Sequence, residues 1–228
     1  MKKLNKQAII VKLTNISYQR NKQIILHDLE FEISSENFIL MTGQNGSGKS
    51  TLLKIISGLL KPDSFSLSHK QSVKNKKSWL AAKKFLRKNF CYLHQSPYLF
   101  SGSVHDNIAY GLKHQALSRQ EIDHKVNEAL KIVSLQHLYN RNSYALSGGE
   151  KQRIAIARSW VIHPTFIMLD EPFANMDKHS RNSTYDIINQ LKEDNIGIIL
   201  TSHDPHSGEL DFNRHMHLHQ GNMIEKTI

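Results

Sequence analysis

The sequence predicts an α/β fold with a mainly parallel sheet, an N-terminal antiparallel β part and an inserted helical segment, and three patterns carry that expectation. "TFIMLD" (165–170) and "NIGIILTSHD" (195–204) are continuously apolar, as strands buried on both faces are. The segment between them places Tyr185, Ile187, Ile188 and Leu191 at helical spacing, which makes a βαβ unit. "FILM" runs into "TGQNGSGKST" and then into the apolar, helical "LLKIISGLL", which ends near Gly58 and Pro62: strand, glycine loop, helix. "AIIVKLTNISY" and "IILHDLEFEIS" alternate apolar and polar residues, the pattern of antiparallel strands with one buried face.

The middle of the chain reads as helical. Ser118 opens "SRQE", a capping box, and Ile122, Val126, Leu130 and Val133 follow at helical spacing. "LSGGE" is a second capping box, with Ser147 as N-cap and Glu150 three residues on; Ile154, Ala157 and Trp160 continue its helix until Pro164. No repeat or low-complexity linker interrupts the chain.

At 228 residues with 39% hydrophobic residues, the chain can bury a core, which excludes a disordered tail or a fibre. It shows neither a charged leader followed by an apolar segment nor an apolar run near the roughly 18 residues a membrane-spanning helix needs, so a cytosolic protein is expected. The single cysteine, Cys91, excludes an internal disulfide and a cysteine-built zinc site. A net charge of +10 fits a nucleic-acid partner, an anionic membrane surface or a solvated basic exterior. The densest basic stretch, Val73 to Lys88, carries seven positive charges and no acid, with Trp79, Leu80, Phe85 and Leu86 as a packing stripe. His215, His217 and His219 alternate along a C-terminal strand and share a face that can bind metal, but no carboxylate or cysteine completes a ligand set.

"GQNGSGKS" (43–50) satisfies the phosphate-loop pattern between a predicted strand and a predicted helix. Gly43, Gly46 and Gly48 let the backbone N–H groups of Gln44, Asn45, Ser47 and their neighbours curl around a phosphate at the positive end of a helix. Lys49 adds a mobile charge, Ser50 can ligate Mg²⁺, and ATP or GTP is the implied ligand. Asp170, at the end of an apolar strand, is the expected metal partner through water. Glu171 beside it is the expected base for the water that attacks the γ-phosphate. Gly148 and Gly149 each cost a helix interior about 1 kcal/mol relative to alanine and are useful where something, here an anion, approaches the backbone closely.

Together these residues resemble the nucleotide-binding subunits of ATP-binding-cassette (ABC) transporters, and the resemblance spans nearly the whole chain. "GQNGSGKST" matches the Walker A motif, Gln95 in "YLHQSPYLF" the Q-loop, "LSGGEKQRIAIAR" the signature, "FIMLDEP" Walker B, "ANMD" the D-loop and His203 in "TSHD" the switch histidine. The resemblance implies a single domain over 1–228: a P-loop NTPase core with its antiparallel β-subdomain at about 1–95 and 160–228, and a helical signature subdomain at about 96–159. It also implies ATP with Mg²⁺. Lys49, Gln95, Glu171 and His203 would be catalytic, and Ser50, Gln95 and Asp170 would face the metal. Residues 43–51, through Thr51, would hold ATP, and Tyr18 in "ISYQR" would stack on adenine unless it is a packed strand aromatic. Two copies would pack head to tail, with Ser147, Gly148 and Gly149 of each holding the ATP of the other.

The chain departs from the family pattern at Glu150, where glutamine is usual, and at Met176, where leucine is common. "SSENF" lacks a usual glycine turn, and the stretch after "KPDSF" lacks the usual glycine-bearing hairpin, which leaves the loop geometry between about 63 and 90 open. Only 94 residues separate Thr51 from Leu146, too few for the coiled coil of related DNA-repair ATPases, and soluble translation-associated relatives carry two cassettes. A nucleic-acid-directed ATPase is therefore the less favoured alternative, which the +10 charge keeps open. The expectation is a peripheral subunit at the cytoplasmic face of the cell membrane, docked on a separate permease, with an extracytoplasmic solute-binding protein and no nucleic acid. Import is favoured over export, and "YLHQSPYLFSGSVHDNIAYGLK" resembles tungstate-type and related oxyanion importers. The chain ends soon after its last predicted strand, without room for a C-terminal regulatory domain.

Overall fold

A computed structural model describes residues 8–69, 72–76, 78–174, 176–203 and 210–227. Three expectations touch the remainder: Lys77 of the basic stretch, Asn175 of "ANMD" and Asp204 of "TSHD" lie outside the described residues. The chain opens with a hairpin of β1 (Ile10–Arg20) and β2 (Gln23–Ser34). Asn21 and Lys22 close it with φ of 51° and 65°, the mirror-image turn that matches strand twist. Its alternation is broken once in each strand. Asn15 and Asp28 adopt φ of 55° and 47° and join through Asn15 Nδ2 donating to Asp28 Oδ1 at 3.1 Å. That bulge shifts the inward set from Val11 and Leu13 to Ile16 in one strand, and from Leu26 to Leu29, Phe31 and Ile33 in the other.

β3 (Phe38–Thr42) leads through the glycine loop to α1 (Lys49–Ile56), which Gly58 stops at φ 71°. β4 (Ser64–His69) and β5 (Ser72–Lys76) then pair antiparallel, and α2 (Trp79–Asn89) hands over to β6 (Phe90–Leu93). Three helices follow: α3 (Val104–Ala109), α4 (Arg119–Ile132) and α5 (Gly148–Trp160). All three start at capping boxes, on Ser103, Ser118 and Ser147. The chain closes with β7 (Phe166–Asp170), α6 (Lys178–Glu193), β8 (Gly197–Thr201), β9 (Arg214–His219) and β10 (Asn222–Lys226).

Two sheets result. The antiparallel one runs β2-β1-β4-β5; the other runs β10-β9-β3-β8-β7-β6, parallel except for its edge strand β10. The period of two in the parallel strands decides which core each residue joins. Phe38, Leu40, Ile167, Leu169, Ile198 and Leu200 face the helices α3 to α6. Ile39, Met41, Phe166, Met168 and Ile199 face α1, α2 and the antiparallel sheet. Continuous apolar runs are thus required, because both faces are covered.

One sequence expectation changes. The stripe on α2 does not include Leu80, which is 77% exposed; Ala82 and Leu86 are the buried residues. Trp79 sits edge-on to Phe65 with centroids 5.3 Å apart, and Phe85 stacks on His69 at 4.3 Å. Leu80 lies about 120° around the helix from Leu86 and about 160° from Ala82, so it points away from that wall. The three histidines do lie on one strand, β9, but they serve the sheet. His215 Nε2 and His217 Nδ1 lie 2.8 and 3.0 Å from the buried Thr42 hydroxyl, and His219 is exposed. Burial and then Lys226 push the pKa of both His215 and His217 down. Among the described residues no group of three His, Cys, Asp or Glu side chains is placed to hold a metal ion.

Asn107 pins the loop before α3. It is fully buried; its Oδ1 accepts from Phe100 N at 2.8 Å, and its Nδ2 donates to Phe100 O and Ser103 O at 3.0 Å each. Asn107→Leu strands these backbone groups, and we expect a loss of about 2 to 4 kcal/mol in the unfolding free energy measured with urea.

Candidate functional site

The glycine loop is held in shape from beneath. Gly43 sits at φ 151°, where a Cβ would collide with the carbonyl of Leu218 in β9, and Gly48 at φ 105°, where a Cβ would meet Leu26 Cδ2 at 2.8 Å. The loop therefore rests on β9 and β2 and presents its outer side to solvent at Gln44, Asn45 and Gly46. Lys49 is 5% exposed, and its ammonium donates to the carbonyls of Gly43 at 2.7 Å and Gln44 at 3.1 Å. Burial pulls the Lys49 pKa below its ordinary value, while Glu171 and Asp170 oppose the shift. Ser47 Oγ is buried without a hydrogen-bond partner among the described residues, a polar atom placed for a ligand.

The loop, the end of β1 and the mouths of β7 and β8 enclose a cleft of about 830 Å³. Of the residues expected from sequence, Tyr18, Asn45 to Thr51, Gln95, Glu171 and His203 line it. Tyr18 also packs its ring partly against the core. Gly43 and the exposed Gln44 are absent from the lining, as is the buried Asp170. Arg20, Ile25, Lys54 and Leu60 line it too, and nothing in their local pattern had announced them.

At the carboxyl ends of the central strands one hydroxyl organises two carboxylates. Thr201 Oγ1, in β8, donates to Asp170 Oδ1 at 2.8 Å and accepts from the backbone N–H of Glu171 at 2.8 Å. The second oxygen of Asp170 accepts from Tyr92 OH, in β6, at 2.7 Å. Asp170 is 4% exposed, and burial followed by its hydrogen bond to Asp170 drives the Tyr92 pKa far up, so the phenol stays a donor. Glu171 adopts φ 48°, a left-handed conformation uncommon for a residue with a side chain. Its Oε1 lies 2.6 Å from His203 Nε2, and its Oε2 accepts from Gln95 Nε2 at 3.3 Å. Glu171, His203 and Gln95 thus form one polar cluster. Tyr92 and Thr201 escaped the sequence reading because each lies in a strand whose neighbours are apolar, and only the register of β6, β7 and β8 shows what they hold.

Ser147, Gly148 and Gly149 do not reach this cleft. Ser147 caps α5 as expected: its N–H donates to Glu150 Oε2 at 2.7 Å, which holds the Glu150 carboxyl below its usual range. The two glycines have different reasons. A Cβ on Gly149 would meet Ser180 Oγ of α6 at 2.6 Å, so close packing within the chain accounts for it. Gly148 is exposed and has nothing within 4 Å of that position among the described residues, so packing within the described chain does not account for it.

Comparison with known proteins agrees with this arrangement. The family model described as "ABC transporter" matches residues 26–174. The molybdate/tungstate import ATP-binding protein WtpC of Pyrococcus abyssi is 41% identical over 162 residues, 71% of this chain and 45% of its own length. The sulfate/thiosulfate import ATP-binding protein CysA of Mesostigma viride is 36% identical over 199 residues, 84% of this chain and 54% of its own. The chain thus spans about half the length of these two relatives. Among solved structures, the dimeric post-hydrolysis state of the ATP-binding cassette MJ0796 bound to ADP and Pi matches with a TM-score of 0.81 and 26% identity, covering 95% of this chain and 97% of that one.

Replacing Thr201 with the isosteric valine leaves the Glu171 N–H and one Asp170 oxygen unpaired in a dry place. We expect Thr201→Val to cost about 1 to 3 kcal/mol in urea unfolding, with Tyr92→Phe, which strands the other oxygen, in the same range.

Proposed function

We propose that this chain, which belongs to the ABC transporter family, is the ATP-binding and ATP-hydrolysing subunit of such a transporter, two copies closing head to tail around ATP to drive a separate membrane permease. The observation that carries the reading is the joining of a phosphate loop to the Glu171, His203 and Gln95 cluster across one cleft, with the glycines of "LSGG" standing outside it.

In this reading the phosphates lie on the loop. Its N–H groups and the start of α1 receive their charge, Lys49 exchanges the Gly43 and Gln44 carbonyls for phosphate oxygens, and Tyr18 takes the base. The donors near the γ-phosphate suit Mg²⁺: a hydroxyl on Ser50, the amide oxygen of Gln95 and the carboxylate of Asp170 are all hard oxygen ligands. Asp170 already accepts two hydrogen bonds, so it would act through water. The metal, when bound, neutralises charge on the β- and γ-phosphate oxygens. Glu171 takes the proton of the attacking water, and the backbone bond to Thr201 fixes where its carboxylate stands. His203 holds one carboxylate oxygen in line and reaches the γ-phosphate side of the cleft. Gln95 ties the cluster to the segment that follows β6, the expected contact with the permease.

The open backbone at Gly148 and the N-terminus of α5 find no phosphate in their own chain, and the partner's ATP supplies one. The transported solute is read as tungstate or a related oxyanion, supported by the similarity to WtpC and to the sulfate/thiosulfate protein CysA. That would make the chain a peripheral subunit at the cytoplasmic face, working with a permease and a solute-binding protein. Among the described residues no helix is long and apolar enough to cross a membrane.

Glu171→Gln keeps the shape and removes the base; with MgATP it should elute as a stable dimer while hydrolysis falls by about two orders of magnitude or more. Rapid turnover by that variant would reject Glu171 as the base. Ser147→Ala should harm turnover more than melting temperature, whereas a mere helix cap would lose about 0.5 to 2 kcal/mol of stability with hydrolysis intact.

A further inference from the structure

Glu171 and His203 wall two cavities at once. On one side is the nucleotide cleft; on the other is a separate cavity of about 180 Å³, which the same two residues share with Phe173, Arg181, Thr201 and Ser202. The 2.6 Å contact between His203 Nε2 and Glu171 Oε1 closes the partition between them. Among the described residues that line this second cavity, Arg181 is the cation and Glu171 the carboxylate. Its backbone is fixed one turn into α6, where its N–H donates to the carbonyl of the N-cap Asp177 at 3.0 Å. Its guanidinium makes no hydrogen bond or ion pair among the described residues. Phe173 and Tyr185, with centroids 4.5 Å apart, form an apolar wall. An exposed arginine elsewhere would be a solvated charge; here it edges a small cavity that shares Glu171 and His203 with the nucleotide cleft.

We propose that this cavity receives inorganic phosphate, with Arg181 as its ligand, after the phosphate passes the Glu171–His203 partition. The inference rests on the reading that the chain hydrolyses ATP. Once two copies close head to tail, the partner's signature covers the outer side of the γ-phosphate, so the cleaved group needs an inner way out. The planar donor fork of arginine matches two phosphate oxygens at once. The cavity admits a phosphate and is too small for a nucleotide.

The test uses the whole chain, as wild type, Arg181→Gln and Arg181→Lys. Quenched-flow reads ATP cleavage, a fluorescent phosphate sensor reads release, and calorimetry reads orthophosphate binding to the MgADP-loaded chain. We expect Arg181→Gln to cleave ATP at the wild-type rate while phosphate release slows and orthophosphate affinity falls, each by about tenfold, the loss of one charge-assisted contact. Arg181→Lys should recover part of both. Release and orthophosphate binding that are unchanged in Arg181→Gln overturn the proposal, as does a parallel fall in cleavage, release and melting temperature, which marks a structural role. A wild-type chain that cleaves no ATP would instead refute the ATPase reading, and orthophosphate binding would still judge the cavity on its own.

Discussion

Much of this structure depends on one hydroxyl. Thr201 ends β8 beside the end of β7 and accepts the Glu171 N–H while donating to Asp170. That bond pair holds a left-handed φ at Glu171 and turns its carboxylate outward to His203 and Gln95, while Asp170 stays inside against Tyr92. Two adjacent acids are thereby given different surroundings, one buried and doubly hydrogen-bonded, the other at the rim of a cleft. Different surroundings allow different tasks, which in the reading proposed are metal orientation for Asp170 and proton transfer for Glu171.

The parallel sheet makes this possible by placing β3, β8, β7 and β6 side by side, so that the glycine loop, Thr201, Asp170 and the Gln95 segment all emerge at the same edge. Their cores fix the register. Because successive residues of β3, β7 and β8 alternate between two apolar clusters, a slip by one residue would turn both faces inside out and carry Thr201 and Asp170 away from each other. Packing on both sides of the sheet thus protects the chemistry at its end.

How much of this the chain announces depends on the length of the signal. The phosphate loop, the two apolar strands and the three serine caps are local patterns, and each forms where its pattern lies; of those caps Ser103 alone was passed over, because α3 is only six residues long. The role of "LSGG" was half legible. The cap on Ser147 follows from spacing, but Gly149 is small because Ser180, far along the chain, packs on it. Tyr92 and Arg181 were invisible for the same physical reason: their neighbours come together only in the fold. Leu80 misled because an apolar residue in a short helix has no face until something packs against it.

In the reading proposed, the exposed Gly148 at the start of α5 and the cleft that holds a phosphate loop without it are half-sites that a second copy completes. Mixing two defective chains tests that most directly. Lys49→Ala cannot grip phosphate, and Ser147→Arg blocks the signature; each alone should be inactive. If the sites are shared, a mixture of the two should hydrolyse MgATP, since each mixed dimer contains one site with an intact loop facing an intact signature. A mixture as inactive as its components, with mixed dimers demonstrably formed, would contradict the account.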